Sequence, residues 1–312
     1  MPTEPRGRGW ARGLLVVGVL SLALVAGLVV LFNRGVGPLP DPEGCQARVG
    51  GVVVDLTTEQ AENAATIAAV AVGRGLPARA ASIALATAMQ ESKLRNLDHG
   101  DRDSLGLFQQ RPSMGWGTAR EIRDPYYAAN RFYDALVKID GYQSMRITEA
   151  AQEVQRSGFP EAYQDHAADG RALASALTGY SPGRFGCVAR PATVGSQQPG
   201  AGGLTPRARR VRRALEHVFG PQQAGGLAEQ GRTLDLLVRP AATAQDRRQG
   251  WAMASYLVAQ ADRLHIARVV FDRRSWRSGT GSQYRWHRYP PAGSSGHRTA
   301  LEYLDRVHVT VL

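Results

Sequence analysis

Cysteine is scarce in this sequence of 312 residues, which holds only Cys45 and Cys187. Two cysteines allow at most one disulfide within the chain. They lie at the two ends of residues 45–190, so in an oxidising environment they most simply form a disulfide that ties the ends of one domain together. The alternative is a pair of unrelated buried thiols.

Lysine is absent from residues 201–312, which carry eighteen arginines and eight acidic residues. Residues 45–190 are balanced, with sixteen basic and sixteen acidic side chains. The excess positive charge of the C-terminal segment is expected to attract anionic polymers such as teichoic acid, lipid headgroups or nucleic acid. Composition does not choose among them.

Charge is also absent from residues 13–32, a run of twenty. This is about the length that crosses the hydrocarbon core of a bilayer as a helix. Three arginines precede the run and one lies close behind it, so the positive-inside rule places residues 1–12 in the cytoplasm and the main part of the chain outside the cell. A cleaved signal peptide is the alternative, but no small-x-small cleavage site follows.

Residues 191–206 are a second charge-free stretch, rich in Pro, Gly, Gln and Ser, which is typical of a flexible linker. The sequence is therefore expected to divide into six parts: a tail (1–12), a transmembrane helix (13–32), a juxtamembrane linker (33–44), a first domain (45–190), a linker (191–206) and a basic domain (207–312).

One acidic residue, Glu91, lies near the end of a predicted small-residue helix, ARAASIALATAMQES, which follows Pro77. A carboxylate there approaches the negative end of the helix dipole, and partial burial opposes its ionisation further. Both effects favour the protonated state that a general acid needs. The alternative is that Glu91 only makes a local cap or salt bridge.

The loop that follows combines glycines, amides and aromatics in GLFQQRPSMGWG, residues 106–117. Glycine lets a ligand approach the backbone closely. The amides of Gln109 and Gln110 suit acetamido and hydroxyl groups, and Phe108 or Trp116 offers an apolar platform for a sugar face. The alternative is that the loop packs only on its own domain.

These residues carry a resemblance. Glu91-Ser92 followed by Gly106-Leu107-Phe108-Gln109 resembles the paired motifs of soluble lytic transglycosylases and goose-type lysozymes, the lysozyme-like superfamily that acts on peptidoglycan. The longer string, from ATAMQES to DPYYAANRFYDAL, resembles actinobacterial cell-wall proteins with that fold. The resemblance implies an all-α lysozyme-like domain, with Glu91 as the acid/base and with Ser92 and Gln109 supporting it and the bound sugar.

The same family has a later Ala-Tyr-Asn motif, whose tyrosine contacts the catalytic glutamate. Here Gln155 and Arg156 stand where that tyrosine and asparagine are expected. Tyr133 and Tyr163 are the candidates to replace the tyrosine, and the sequence does not choose between them. The missing tyrosine motif permits an inactive protein with the same fold.

Ordinary glycosidases use two carboxylates, whereas the resemblance implies one. If water is the nucleophile, Asp101 and Asp103 are the nearest candidates for a second carboxylate. Asp beside Gly commonly sets a turn, so a structural role is favoured for both. Asp103 is also a candidate substrate contact, together with Phe108, Gln110 and Trp116.

The C-terminal segment mixes strand-like and helical patterns and predicts an α+β domain. Its Gly231–Asp235 run and its terminal Val307-His308-Val309 resemble the zinc-peptidase fold of D-alanyl-D-alanine carboxypeptidases and hedgehog-type domains. Ala228 and Arg306 replace two expected histidine ligands, which leaves Asp235 and His308. Catalytic zinc generally needs three protein ligands, so we expect no metal and no cofactor. His287 and His297 are the residues that would have to supply the missing ligands of such a site.

Two functions follow from these patterns. The first is a membrane-anchored, extracytoplasmic enzyme that cleaves peptidoglycan glycan strands, with the C-terminal domain binding anionic wall polymers. The second is an inactive wall-binding or scaffold protein with the same fold. Nucleic-acid binding is disfavoured, because no nucleic-acid-binding motif is present.

Overall fold

The computed structural model describes residues 16, 18–23, 25–27, 42–192, 195–222, 224–225, 229–238, 243–289 and 304–312. The chain divides into two units, Met1–Pro42 and Glu43–Leu312. In the first unit, residues 16, 18–23 and 25–27 are helical and exposed. The second unit holds all the other elements.

The expected membrane anchor is contradicted by the structure. A span needs about 20 consecutive apolar residues in one helix. No helix formed by the described residues has that length and apolarity. Within the expected span, residues 13–15, 17, 24 and 28–32 lie outside the described residues. The predictions of a transmembrane helix and of a single-pass localisation with a cytoplasmic N-terminus are wrong on this finding.

A three-stranded antiparallel sheet opens the second unit, in the order β2-β1-β3. Its strands are β1 (Gly44–Val49), β2 (Val52–Leu56) and β3 (Phe185–Val188). Gly50 and Gly51 join the first two strands, with φ of 56° and 84°, values that favour glycine. The prediction of an all-α domain is wrong, because β-branched residues on both sides of this Gly-Gly turn form a hairpin and a third strand pairs with it.

The predicted disulfide is confirmed. Cys45 on β1 and Cys187 on β3 are direct register partners and are bonded to each other. The bond therefore joins two strands of the same sheet, one at each end of the segment that the sequence marked as a domain.

Six α-helices lie between β2 and β3 along the chain. They are α1 (Thr58–Gly73), α2 (Ala78–Ser92), α3 (Ala119–Ile122), α4 (Pro125–Leu136), α5 (Ile147–Gln155) and α6 (Ala167–Leu177). The contact between α2 and α6 is the most extensive between two helices. It is close because both helices are rich in alanine, and a Cβ added at Gly170 of α6 would lie 2.8 Å from the carbonyl oxygen of Ser82.

The C-terminal segment forms a six-stranded antiparallel sheet in the order β4-β5-β9-β6-β7-β8, together with three helices. The helices are α7 (Pro206–Phe219), α8 (Ala244–Ala259) and α9 (Ala261–Leu264). The strands are β4 (Ala224–Gly225), β5 (Thr233–Leu237), β6 (Ile266–Phe271), β7 (Arg274–Arg277), β8 (His287–Arg288) and β9 (Arg306–Val311).

The two halves of the second unit share one hydrophobic core. Helix α1 packs against α8. The indole Nε1 of Trp276 donates a hydrogen bond of 2.8 Å to the carbonyl oxygen of Cys187. The indole of Trp286 donates one of 2.8 Å to the carbonyl oxygen of Phe185. Both bonds tie the C-terminal sheet to strand β3, so the described residues of the second unit form one folded body.

The charge-free segment predicted to be a linker contributes to this packing where it is described. Leu204 is 5% exposed and belongs to the core. The guanidinium of Arg207 donates 2.9 Å to the carbonyl oxygen of Gly195, and its backbone N–H donates 3.0 Å to Oε1 of Gln197. Residues 195–205 therefore lie against the start of α7.

Candidate active site

Glu91 lies in the last turn of α2 and is partly exposed. The helix ends because Lys93 and Leu94 adopt left-handed backbone angles, with φ of 55° and 59°. Their N–H groups donate to the carbonyl oxygens of Met89 and Ala88. The chain reverses just after Glu91, and the later glycine-rich loop returns to the end of the helix, where the hydroxyl of Ser92 contacts it.

Tyr163 supplies the hydrogen bond to Glu91. It is completely buried in the 3-10 helix Ala162–His166, and its hydroxyl donates a bond of 2.6 Å to Glu91 Oε1. Burial, followed by the hydrogen bond to Glu91, raises the pKa of Tyr163 well above that of a free tyrosine. The phenol therefore remains a donor and holds one oxygen of the carboxyl group in place.

Two polar side chains fix the glycine-rich loop against the helix. Ser92 is 5% exposed, and its hydroxyl donates a hydrogen bond of 2.8 Å to the carbonyl oxygen of Leu107. Gln155 on α5 donates from Nε2 to the carbonyl oxygen of Phe108 at 2.7 Å. Gln155 stands where the transglycosylase motif that the sequence resembles has tyrosine. Here Gln155 supports the loop, and Tyr163 contacts the acid.

Phe108 and Gln110 point into the protein. Phe108 is fully buried and stacks on Phe132, with ring centroids 4.6 Å apart. Gln110 is 2% exposed, and its Nε2 donates 3.2 Å to the carbonyl oxygen of Ala128. The structure thus places these two predicted substrate contacts in the core, where they position the loop and present no surface to a ligand.

Gln109 and Trp116 are partly exposed. The amide of Gln109 donates bonds of 3.3 Å to the carbonyl oxygens of His99 and Gly106, and its backbone is left-handed, with φ of 47°. The carbonyl oxygen of Trp116 accepts a 3.2 Å bond from the hydroxyl of Tyr127. Among the predicted sugar contacts in the loop, these two remain accessible at the surface.

Asp103 has a structural role. Its carboxylate accepts from Arg111 Nε at 2.7 Å and from the backbone N–H and hydroxyl of Ser113 at 2.8 and 3.0 Å. These bonds, that from Arg111 first, hold the pKa of Asp103 far below its usual range. The charge of this carboxylate is balanced by Arg111, so Asp103 is not available as a second catalytic carboxylate beside Glu91.

A polar cluster beside the acid was not identified from the sequence. His166 Nε2 lies 3.1 Å from Oε1 of Gln90 and 3.4 Å from Nζ of Lys93. Burial, followed by the charge of Lys93, lowers the pKa of His166. The cluster adjoins Glu91 in sequence and Tyr163 in the 3-10 helix, so it forms one side of the same site. Only the spacing of Gln90 and Lys93 around Glu91 signals it in the sequence.

The structure brings together the two remnant metal positions of the C-terminal segment. Asp235 on β5 and His308 on β9 are register partners, with Oδ1 and Nδ1 2.6 Å apart. Arg306 lies 3.7 Å from the other oxygen of Asp235, so a cation stands where the zinc peptidases that the segment resembles have a ligand. No group of three metal-binding side chains occurs among the described residues. Ala228 and His297 lie outside them.

Comparison with known proteins adds one finding. Residues 200–300 match the family model described as "VldE, C-terminal domain", which covers about a third of the chain and excludes Glu91 and its loop. No curated protein matches the chain. These comparisons give no support to classifying the chain as a lytic transglycosylase.

Proposed function

We propose that this protein cleaves the glycan strands of peptidoglycan, with Glu91 as the single acid/base. The observation that supports it most is the hydrogen bond of 2.6 Å from buried Tyr163 to a partly exposed Glu91. A structural carboxylate at a helix end is commonly paired with a cation. Among the described residues, Glu91 has no salt bridge.

The proposed reaction needs only that one carboxyl group. Protonated Glu91 gives its proton to the glycosidic oxygen as the bond from that oxygen to C1 of the sugar breaks. The carboxylate then takes the proton of the C6 hydroxyl of the same sugar, whose oxygen bonds to C1. An anhydro ring forms, and Glu91 regains the proton it lost, so the step balances without water or metal. Attack by water in place of the C6 hydroxyl would give a reducing end.

The surroundings of Glu91 suit this reaction. Tyr163 restrains one carboxyl oxygen and leaves the other to exchange the proton. The glycine-rich loop carries the partly exposed Gln109 and Trp116, which offer an amide and an apolar ring to an aminosugar. Ser92 and Gln155 hold that loop through its backbone and act as positioning residues.

Incubation of the purified chain with peptidoglycan sacculi tests the proposal. The wild type is expected to release soluble glycan fragments, and Glu91→Gln is expected to release none, because the amide cannot donate and regain a proton. Glu153→Gln is the matched control, since Glu153 is an exposed acid on α5. Equal activity of the two variants would overturn the proposal.

A second candidate is a wall-binding protein without catalytic activity. The observation that favours it is the departure from the family motif at Gln155, whose side chain supports the loop and does not reach the acid. This candidate predicts that the protein binds sedimented sacculi and releases no soluble fragments, and that Glu91→Gln leaves the binding unchanged.

A further inference from the structure

A basic groove lies on the side of the molecule where the two halves of the second unit meet. It has a volume of about 860 Å³ and is formed by the turn of the β1–β2 hairpin, the segment before β3 and the starts of α8 and β7. Its lining contains no acidic side chain. The four cations that line it are Arg48, Arg184, Arg247 and Arg274.

Three of these arginines have no carboxylate partner among the described residues. Arg247 is paired with Asp272 at 2.6 Å. Within the part of the chain that the structure describes, no salt bridge joins Arg48, Arg184 or Arg274 to an acid. All three are exposed. They come from three separate parts of the chain, so only the folded unit assembles them in one place.

The neighbouring strands add to this positive charge. Arg274 on β7 stands directly opposite Arg288 on β8. Like charges at directly opposed positions of antiparallel strands destabilise the sheet. An anion that contacts the guanidinium groups removes this repulsion, and guanidinium is the side chain best suited to bind phosphate through two parallel hydrogen bonds.

Other features of the groove restrict the kind of anion. At its hairpin end, Gly50 and Gly51 leave open space beside the backbone, so a polymer can pass close to the chain. The exposed aromatic of the lining is Tyr180, and Arg248 lies over its ring at 4.8 Å from the centroid. Single-stranded nucleic acids bind through aromatic platforms that stack on the bases. A ring covered by a guanidinium does not offer one.

We propose that this groove binds the phosphates of a linear polymer that lacks aromatic bases, such as a polyol phosphate or polyphosphate. Arg48, Arg184 and Arg274 contact successive phosphates, and the glycine turn lets the polymer leave the groove without collision. The proposal uses residues remote in sequence from Glu91 and does not depend on glycan cleavage.

Binding of fluorescent inorganic polyphosphate to the full chain tests it, measured by anisotropy over a series of salt concentrations. Arg184→Gln and Arg274→Gln are each expected to weaken binding by about three- to tenfold and to reduce the salt slope by about one. Arg120→Gln is the matched control, an exposed arginine on α3 outside the groove. Thermal unfolding of each variant checks that these surface changes leave the fold intact.

Competition identifies the chemistry of the polymer. Poly(glycerol phosphate) is expected to displace the probe, and polyglutamate of equal charge to displace it at least about tenfold less well, because it lacks phosphate. Oligo(dT) of equal charge is expected to displace it no better than poly(glycerol phosphate), because its bases gain nothing from stacking. Equal weakening by the groove variants and the control would mean that diffuse net charge binds the probe and would overturn the proposal. Stronger displacement by oligo(dT) or by polyglutamate than by poly(glycerol phosphate) would also overturn the proposal. So would the absence of probe binding at about 0.1 M salt.

Discussion

The hydroxyl of Tyr163 donates a 2.6 Å hydrogen bond to Glu91, although the two residues lie 72 positions apart in the chain. The tyrosine is buried and the glutamate is partly exposed, so the bond joins the protein interior to a surface on which a substrate can lie. The proposed chemistry depends on this pair.

Tyr163→Phe removes the hydroxyl and keeps the ring. The carboxyl group then loses its restraint, and we expect turnover to fall by about 10- to 100-fold with little change in substrate binding. Tyr133→Phe is the matched control, because Tyr133 is also buried and its hydroxyl donates 3.0 Å to the carbonyl oxygen of Ile67, away from Glu91. Measurement of kcat and KM for both variants separates a positioning role of Tyr163 from a role in stability alone. A similar loss in both would show that Tyr163 acts only through stability.

Asp103→Asn is expected to alter how the free energy of unfolding depends on pH. The folded-state pKa of Asp103 is depressed, chiefly by Arg111. The stabilisation that ionised Asp103 gives the folded state is therefore fully present above the unfolded-state pKa of about 3.9. It is lost as the pH falls from that value through the lower folded-state pKa. The variant is expected to be less stable than the wild type at neutral pH and to approach it in acid.

Denaturant unfolding between about pH 2 and 7 measures this difference. Asp101→Asn is the control, since Asp101 is exposed and its nearest cation, Arg102, lies 3.9 Å away. A pH dependence that Asp103→Asn leaves unchanged would contradict the structural role assigned to Asp103.

Gly186→Ala tests the packing of β3 against the C-terminal segment. A Cβ at this position would lie 2.2 Å from the backbone carbonyl oxygen of Tyr284, so one of the two segments must shift. We expect a loss of about 1–3 kcal/mol in the free energy of unfolding. Gly158→Ala is the control, because its Cβ meets nothing within 4 Å. Calorimetry that gives the same stability for both variants would mean that the two segments do not pack as described.

Replacing both cysteines with serine opens the bond between β1 and β3, which closes a sequence separation of 142 residues. We expect the free energy of unfolding to fall by about 2–5 kcal/mol, because the unfolded chain gains conformational freedom. Denaturant titration of the double variant measures it. The same result is expected for the wild type after reduction, and a stability insensitive to both treatments would contradict a formed disulfide.

Local sequence signals are clear at the start of α4 and failed for the first sheet. Pro125 after Asp124 marks the start of α4, and Asp124 accepts the hydrogen bond from the backbone of Tyr126 that a cap provides. The hairpin was missed although its Gly-Gly turn between β-branched residues predicts one. Strand β3 has four residues and pairs with a strand about 140 positions earlier, so no local pattern reveals it.

The candidate site was predictable only in part. The paired motif indicated Glu91 and the loop, but Phe108 and Gln110 carry the residue types of a sugar site and are buried. Their burial depends on contacts with α4, which the sequence does not show. Tyr163 was one of two possible replacements for the missing tyrosine, and the choice required the three-dimensional position of the 3-10 helix.

The aromatics of the C-terminal segment illustrate the same limit. Trp276 and Trp286 lie in the arginine-rich C-terminal segment. They are 1% and 8% exposed and donate their indole N–H groups to β3. Tryptophan among arginines is typical of a binding surface. Only the packing of the two halves of the unit shows that these two tryptophans are part of the core.

Mass spectrometry of the products of peptidoglycan digestion tests the central claim most directly. If one carboxyl group transfers the proton and the C6 hydroxyl of the sugar attacks C1, the released fragments carry anhydro-muramyl ends, and Glu91→Gln releases none. Reducing ends would show that water is the nucleophile and that a second group assists it. The absence of any soluble fragment from the folded wild-type protein would contradict the account of Glu91 as a catalytic acid.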